Sequence, residues 1–215
     1  MTTNHDFDKQ VFINCPFDKE FLPLLRAIIF TVSSLGFKPR LSLEESDGGI
    51  LRLNKILELI RASKYSIHDL SRIKIANNNG NEKEYFRLNM PFELGLDFGC
   101  KNYSNDESFK NKKYLILGEE PYDYMKGLSD ISGIDIKYHN KKVFDVIKEI
   151  RHWFLINAAI KCKSPDHIHN DYVMSYNTSF FSYFVDDLGY SEDTVYEDVP
   201  IKEQIDYLLD YFNKK

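Results

Sequence analysis

The sequence has few of the residues that build disulfide-linked or zinc-binding proteins. It contains three cysteines among 215 residues, Cys15, Cys100 and Cys162. Their number is odd, and their spacing does not match that of a metal site. We therefore expect neither a disulfide framework nor a metal centre, and we interpret the three thiols as buried.

The chain also lacks long apolar runs and clusters of basic residues. No apolar run approaches the roughly 20 residues that cross a bilayer, and the polar N-terminal stretch carries no signal-peptide pattern. The formal net charge is -5, whereas a surface that binds long nucleic acid has to be basic to neutralise phosphates. We expect a cytoplasmic protein that contacts neither membranes nor long nucleic acids.

What the chain does have is enough apolar material for a core. Hydrophobic residues make up 43% of it and aromatic residues 14%. Short apolar runs typical of buried strands alternate with segments of helical periodicity. This alternation predicts a doubly wound three-layer α/β/α sandwich with a parallel sheet of about five strands. The predicted strands are 11–15, 37–43, 65–70, 112–117 and 134–138, and the predicted helices include 19–35, 53–60 and 143–160.

The composition changes near residue 163, after which tyrosines and acidic residues dominate. The sequence predicts helices there, at 170–188 and 201–212, and no strand. We therefore divide the chain into an α/β domain, residues 1–162, and a helical C-terminal appendage, residues 163–215. Aromatic side chains at helical spacing in the appendage predict a face packed on the sheet domain or, as the alternative, a partner surface such as a homo-oligomer interface. These side chains are Tyr172, Tyr176, Phe180, Phe181 and Phe184.

The stretch RLNMPFELGLDFGCK, from Arg87 to Lys101, holds the most informative carboxylate. Pro91 suits the first position of a helix, which places Glu93 in the first turn, at a strand-to-helix junction. Open α/β sheets bind ligands at the carboxyl ends of their strands. Glu93 is therefore a candidate catalytic group, and the alternative is an acidic residue favoured there by the helix dipole.

Asp69 ends the third predicted strand and is the second candidate catalytic residue. We expect its carboxylate to lie beside Glu93, where it would bind ribose hydroxyls or orient Glu93. The alternative is a carboxylate that caps a neighbouring helix. His68 alternates with Asp69 along the strand, so we expect it to point toward a covering helix or solvent.

Candidate substrate-binding residues follow the first strand and precede the Glu93 helix. The loop after the first strand has no Gly-rich fingerprint, so it suits a nucleoside or a sugar edge better than a pyrophosphate. Its aspartate is, as the alternative, the N-cap of the next helix. Two arginines near strand ends would pair with a substrate phosphate or form ordinary surface ion pairs. The candidates are Asn14, Phe17, Asp18, Arg72, Arg87 and Asn89.

The segment between Asp69 and Pro91 contains the Asn- and Gly-rich string IANNNGNEKEY. This composition predicts little helix or strand. Because the segment joins the two carboxylate-bearing elements, we expect it to be a mobile cover over the site. The alternative is a surface insertion without a role.

Two families resemble parts of this chain. The string FELGLDFGCKNYSNDESFKNKKYLIL resembles the ELG-containing helix and following strand of nucleoside 2-deoxyribosyltransferases, and this resemblance implies that Glu93 is the nucleophile. The strings VFINCPFDKEFLPLLRAI and IRASKYSIHDLSR resemble TIR domains. Both families share a flavodoxin-like sheet. Two features depart from these families: residues 87–91 stand where the transferases usually have a Gly-Thr type turn, and the TIR tryptophan before the catalytic glutamate is absent, although Phe92 is an aromatic neighbour.

The resemblance implies an enzyme that cleaves or transfers at an N-glycosidic bond. The transferase side implies a nucleoside or nucleotide substrate, and the TIR side implies NAD consumption in bacterial defence or signalling. We expect no cofactor, with NAD or a nucleotide as substrate rather than as a helper group. The alternative from another class is a non-catalytic module that senses a nucleotide or binds a protein.

Overall fold

The computed structural model describes residues 4–44, 48–71, 74–75, 85–86, 88–122, 124, 128–131 and 133–214. Its centre is a five-stranded, all-parallel sheet in the order β2-β1-β3-β6-β7, and β4 and β5 form a separate two-stranded antiparallel ladder. This order and the helices on both faces confirm the flavodoxin-like α/β/α prediction. The strands are β1 (Gln10–Asn14), β2 (Lys38–Arg40), β3 (Tyr65–Asp69), β4 (Lys74–Ile75), β5 (Tyr85–Phe86), β6 (Lys113–Gly118) and β7 (Ile136–Tyr138).

The helices alternate with the strands through the sheet domain and then follow one another at the C-terminal end. Helices α3 and α4 cover one face of the sheet, and α2 and α5 cover the other. Helix α6 continues into two π-helical segments, Ser175–Phe180 and Ser182–Asp187. The helices are α1 (Asn4–Phe7), α2 (Leu22–Ser34), α3 (Arg52–Ala62), α4 (Asn89–Tyr103), α5 (Val143–Asn157), α6 (Pro165–Met174), α7 (Val195–Asp198) and α8 (Ile201–Asn213).

The predicted bounds differ from the observed ones by a few residues, chiefly at the ends. Helix α2 begins three residues later than predicted because the turn after Asp18 precedes it. Its end is set by Gly36, whose φ of 79° is the left-handed conformation that favours glycine. Strand β2 keeps only the first half of the predicted run. Within the described ranges, no helix combines the length and the apolar character needed to cross a bilayer.

Strand alternation assigns each side chain of β1 and β3 to one of the two helical layers. Val11 and Ile13 belong to the core that includes α2 and α5, whereas Phe12 packs with Ile56 and Ile60 of α3. The same period of two continues into Asn14, which follows Phe12 on the α3/α4 side. The end of β1 therefore directs an amide toward helix α4.

Helix α2 is buried on nearly its whole circumference, whereas an amphipathic surface helix is buried on one face only. Its residues from Leu24 to Val32 are buried with the exception of Arg26. The sheet and α5 cover one side, and α6 and α8 contact the helix from outside. A helix that is apolar all round needs such a second covering layer, and the C-terminal helices supply it.

The C-terminal helices share the main hydrophobic core with the sheet domain. Tyr176, Phe180 and Phe184 are buried there, and Ile205 and Leu208 of α8 join them. These contacts agree with the expectation that the aromatic face packs inward. The division of the chain at residue 163 and the homo-oligomer interface stay predictions.

Because of this shared core, removing a single buried methylene group from α8 is expected to lower the stability of the whole protein. Ile205 is 1% exposed, and Ile205→Val is expected to cost about 1 kcal/mol in a single urea transition followed by circular dichroism. Val173→Ala, at a position 41% exposed, is the control and should change stability by less than about 0.5 kcal/mol. A separate transition for the C-terminal helices would contradict this expectation.

Candidate active site

A cleft of about 640 Å³ lies at the carboxyl end of the sheet, between the loop after β1 and the starts of α3 and α4. Its volume falls within the range of small-molecule sites. We call it the Glu93 cleft. Its lining residues are Asn14, Cys15, Pro16, Phe17, Asp18, Arg52, Leu88, Asn89, Met90 and Glu93.

Glu93 is the carboxylate that α4 presents to this cleft. The helix begins at Asn89, so Pro91 is its third residue and Glu93 lies beyond the first turn, not inside it as predicted. Proline fits there because the first four N–H groups of a helix have no internal partner. The helix-dipole explanation for Glu93 therefore loses its basis, since the first turn of α4 contains no acidic residue.

The environment of Glu93 favours its protonated form more than water does. The residue is 6% exposed. Burial raises the pKa of its carboxyl from 4.5 to about 7, and the positive charge of Arg52 offsets part of that rise. A carboxyl whose pKa is near neutrality suits proton transfer and nucleophilic work at physiological pH.

The raised pKa predicts that Glu93 makes the fold less stable at high pH. Its contribution is fully present below pH 4.5 and is lost as the pH rises through 7, because the unfolded chain ionises first. The free energy of unfolding of Glu93→Gln, relative to the parent, should therefore rise by about 3 kcal/mol between pH 4.5 and 8. Urea titrations at several pH values measure this difference.

A matched control for this titration is Glu58→Gln, which removes the same charge from an exposed position of α3. Its stability is expected to follow that of the parent within about 0.5 kcal/mol at each pH. A constant difference between Glu93→Gln and the parent across the range would show that the Glu93 carboxyl is not desolvated in solution.

The loop after β1 lines the other side of the cleft. Phe17 is half-buried there, and Asp18 accepts a hydrogen bond from the Phe21 amide at 3.2 Å. This bond closes the turn before α2; the N-cap of the helix is Phe21, so Asp18 is not the helix cap of the alternative. Burial, with the charges of Asp69, Glu93 and Asp18, raises the pKa of the Cys15 thiol well above its ordinary value. A thiol held protonated is a poor nucleophile. We therefore assign Cys15 a structural role in lining the cleft and not a chemical one.

Asn14 joins the end of β1 to the helix that carries Glu93. Its Nδ2 donates to the Met90 carbonyl oxygen at 2.9 Å and lies 3.1 Å from Nδ1 of His68. Asn14 and His68 are register partners in the parallel pairing of β1 and β3. Because both residues are buried, these contacts fix the first turn of α4 against the sheet.

One turn beyond Glu93 on α4, Asp97 anchors the helix a second time. His68 Nε2 lies 3.2 Å from its Oδ2, and the Ser66 hydroxyl donates to the same oxygen. Lys112 Nζ lies 3.1 Å from Oδ1. Burial opposes the ionisation of Asp97, but the hydrogen bond to His68, together with Lys112 and Ser66, outweighs it and lowers the pKa of Asp97.

The structure does not bring Asp69 into the Glu93 cleft. Its carboxylate accepts from the Ser71 amide at 2.8 Å and from the Ser71 hydroxyl, and it lies 3.1 Å from Nε2 of His139. Asp69 alternates with His68 along β3, and His68 faces α4. Asp69 therefore faces the α2/α5 side, and its expected position beside Glu93 is not observed. A catalytic role for Asp69 stays a prediction.

The contacts of His139 do not form a serine hydrolase triad. Its Nδ1 accepts from the Lys141 amide at 3.1 Å, so in the neutral ring Nε2 carries the hydrogen and points at Asp69. A general base for Ser71 needs a free lone pair on that nitrogen. Asp69, Ser71 and His139 instead tie the end of β3 to the end of β7.

Two of the predicted binding residues and the predicted cover cannot be placed. Arg72 and Arg87 lie outside the described residues, as does most of the segment between them. Asn89 does line the cleft. Sequence reasoning missed Arg52, which the cleft contains, because no local pattern marks an arginine at the start of a helix as facing a site.

Among the residues that the structure places, no three His, Cys, Asp or Glu side chains are grouped so as to hold a metal ion. The three cysteines are unpaired.

The comparisons with known proteins found no relative of this chain. No family model, no curated protein and no solved structure matches the chain significantly. The assignment of a function therefore rests on the geometry of the Glu93 cleft.

Proposed function

We propose that this protein is an enzyme that cleaves or transfers at the N-glycosidic bond of a nucleoside, a nucleotide or NAD, with Glu93 as nucleophile or cation stabiliser. The observation that carries the proposal is one buried carboxylate, of pKa about 7, set by a rigid helix in the wall of an open cleft. A binding module has no need to bury a carboxyl at such a cost.

The chemistry asks for a negative charge close to the anomeric carbon. As the C–N bond breaks, its electron pair leaves with the base, and the sugar takes on oxocarbenium character. Ionised Glu93 stabilises that charge, or bonds to the anomeric carbon until water or an acceptor displaces it. With a pKa of about 7, protonated and ionised Glu93 coexist near neutral pH, so the ionised form that this chemistry needs is present.

The rest of the cleft supplies groups for the remainder of a nucleotide. The ring of Phe17 offers a surface for a base, and Arg52 offers a guanidinium for a phosphate. Asp18 and Asn89 add polar edges within the same cleft. A nucleoside, nucleotide or NAD presents a base, a sugar and, in the last two, phosphate oxygens to such a set.

The direct test is release of free base. The purified protein is incubated with NAD and with a panel of nucleosides and nucleoside monophosphates, and nicotinamide or free base is detected by chromatography. We expect release from one member of the panel. Binding of a panel member without any product, accompanied by a change in oligomeric state, would favour the non-catalytic sensor instead.

The same panel separates hydrolysis from transfer. Addition of a second free base as acceptor yields a new nucleoside in a transferase and leaves the product unchanged in a hydrolase. NAD consumption would favour a role in bacterial defence or signalling, whereas exchange of nucleoside bases would favour salvage chemistry. In either case we propose a cytoplasmic enzyme whose ligand is a small molecule.

A further inference from the structure

The orientation of the Asn14 side-chain amide is fixed by the groups around it. The Met90 carbonyl oxygen lies 2.9 Å from Nδ2, and a carbonyl can only accept, so the NH₂ group has to face it. The second hydrogen of the same NH₂ group is directed at Nδ1 of His68, at 3.1 Å.

His68 is held in the form that accepts this hydrogen. Its Nε2 lies 3.2 Å from Oδ2 of Asp97, whose other oxygen lies 3.1 Å from Lys112 Nζ. A carboxylate paired with an ammonium group accepts only, so Nε2 carries the hydrogen of the ring. Nδ1 is then the unprotonated nitrogen, as the contact with Asn14 requires.

Both hydrogens of the Asn14 amide are therefore committed to protein groups. The polar atom that remains for a ligand is the carbonyl oxygen Oδ1, which no described residue engages. Asn14 is 3% exposed and lines the same cleft as Glu93. Toward a ligand it is consequently an acceptor with a fixed direction and not a donor.

We propose that Asn14 is a specificity-determining residue that accepts a hydrogen bond from a hydroxyl of the substrate's sugar. This inference rests on the proposed function, because Glu93 has to lie at the sugar for its neighbour Asn14 to read a hydroxyl. A phosphate or carbonyl oxygen in that place would meet a second acceptor. The series of contacts from Lys112 through Asp97 to His68 holds the Asn14 amide in this direction. These three residues position the amide without touching the substrate.

The test compares substrates that differ by one hydroxyl. Adenosine, 2′-deoxyadenosine and 3′-deoxyadenosine, and their 5′-monophosphates, are offered to the parent and to Asn14→Leu, which keeps the size of the side chain and removes its polar atoms. In the parent, loss of the recognised hydroxyl is expected to lower kcat/KM by about 10-fold or more. In Asn14→Leu the same pair should differ by less than about 2-fold.

The ratio of kcat/KM between the substrate with the recognised hydroxyl and the one without it separates hydroxyl recognition from a general loss of activity. Ser66→Ala removes one donor to Asp97 but leaves the contacts of Lys112, Asp97 and His68 that hold the Asn14 amide, so it is expected to keep the parent ratio even where both rates fall. A ratio that stays at the parent value in Asn14→Leu, or that collapses equally in Ser66→Ala, overturns the proposal. If Asn14→Leu does not fold, Asn14→Ala gives the same comparison.

Failure of the proposed function is recognised separately. If no probe loses its base, dissociation constants of the adenosine series are measured by calorimetry with the parent and Asn14→Leu. An affinity ratio of about 10-fold that Asn14→Leu abolishes supports hydroxyl recognition in a protein that does not cleave. Equal affinities for all three nucleosides, or no binding, overturn it. Base release with an unchanged ratio leaves the proposed function standing and rejects Asn14 alone.

Discussion

Glu93→Gln is expected to abolish base release, by at least about 10³-fold in kcat, while the protein stays folded. The amide keeps the shape of the side chain but neither bonds to the anomeric carbon nor stabilises a cation. Its burial costs less than that of a carboxylate, so the variant should be as stable as the parent or more stable above pH 7. Chromatography of the released base and urea unfolding measure the two quantities on one sample.

The control for this variant is Glu58→Gln, which removes a carboxylate from the exposed side of α3 and should leave turnover within about 2-fold of the parent. Turnover by Glu93→Gln at the parent rate would reject Glu93 as the reacting group. A fall in rate that came with loss of the folded state would say nothing about chemistry, which is why unfolding is followed in parallel.

Lys112→Met is expected to destabilise the protein by about 3–5 kcal/mol. Lys112 is 0% exposed, and its Nζ pairs with Asp97 at 3.1 Å. It also donates to the Ile60 carbonyl at 2.7 Å and to the Ser63 carbonyl, at the end of α3. Methionine fills a similar volume, but it leaves a buried carboxylate without its cation and two carbonyls without their donor.

Two further variants make the prediction specific. Lys113→Met changes the neighbouring lysine, which is exposed and donates to the Asn157 carbonyl at 2.7 Å, and it should cost less than about 1 kcal/mol. The double variant Lys112→Met with Asp97→Leu should lose less than the sum of the single losses, because it removes both charges. Equal losses for Lys112→Met and Lys113→Met would contradict a structural ion pair.

This ion pair also bears on acid stability. Because the pKa of Asp97 is lowered in the folded protein, its contribution is present above the ordinary carboxyl range and is lost as the pH falls through the folded value. Glu93 acts in the opposite direction over a higher range. The two carboxylates of one helix face, a turn apart, thus have opposite effects on stability because one is paired and the other is only buried.

The order of strands and helices was predictable from the sequence because it rests on local periodicity. The short runs predicted as strands at 11–15, 65–70 and 112–117 became the central strands within a residue or two, since their apolar residues and their length are typical of buried strands. The placement of Glu93 at the carboxyl end of the sheet followed from the same order. Asn14, Phe17, Asp18 and Asn89 line its cleft, as a doubly wound topology requires.

The relation of Asp69 to Glu93 was not predictable in the same way. Alternation along β3 establishes that His68 and Asp69 face opposite layers, but it does not state which layer contains α4. The packing of α4 decided this, through the contacts of His68 and Ser66 with Asp97. As a result, the histidine lies under the Glu93 helix, and the aspartate lies on the far side of the sheet.

The sequence by itself determined the fold class, the alternation of strands with helices, and the position of Glu93, the carboxylate on which the proposed function depends. These features follow from residue spacing over short stretches. Only the tertiary structure decided that Lys112 is buried against Asp97, that Arg52 lines the same cleft as Glu93, and that Asn14 turns its amide hydrogens inward. Each of these depends on residues at least 15 positions apart in the chain. No local pattern encodes such a contact, because burial and charge pairing arise only when distant elements pack together.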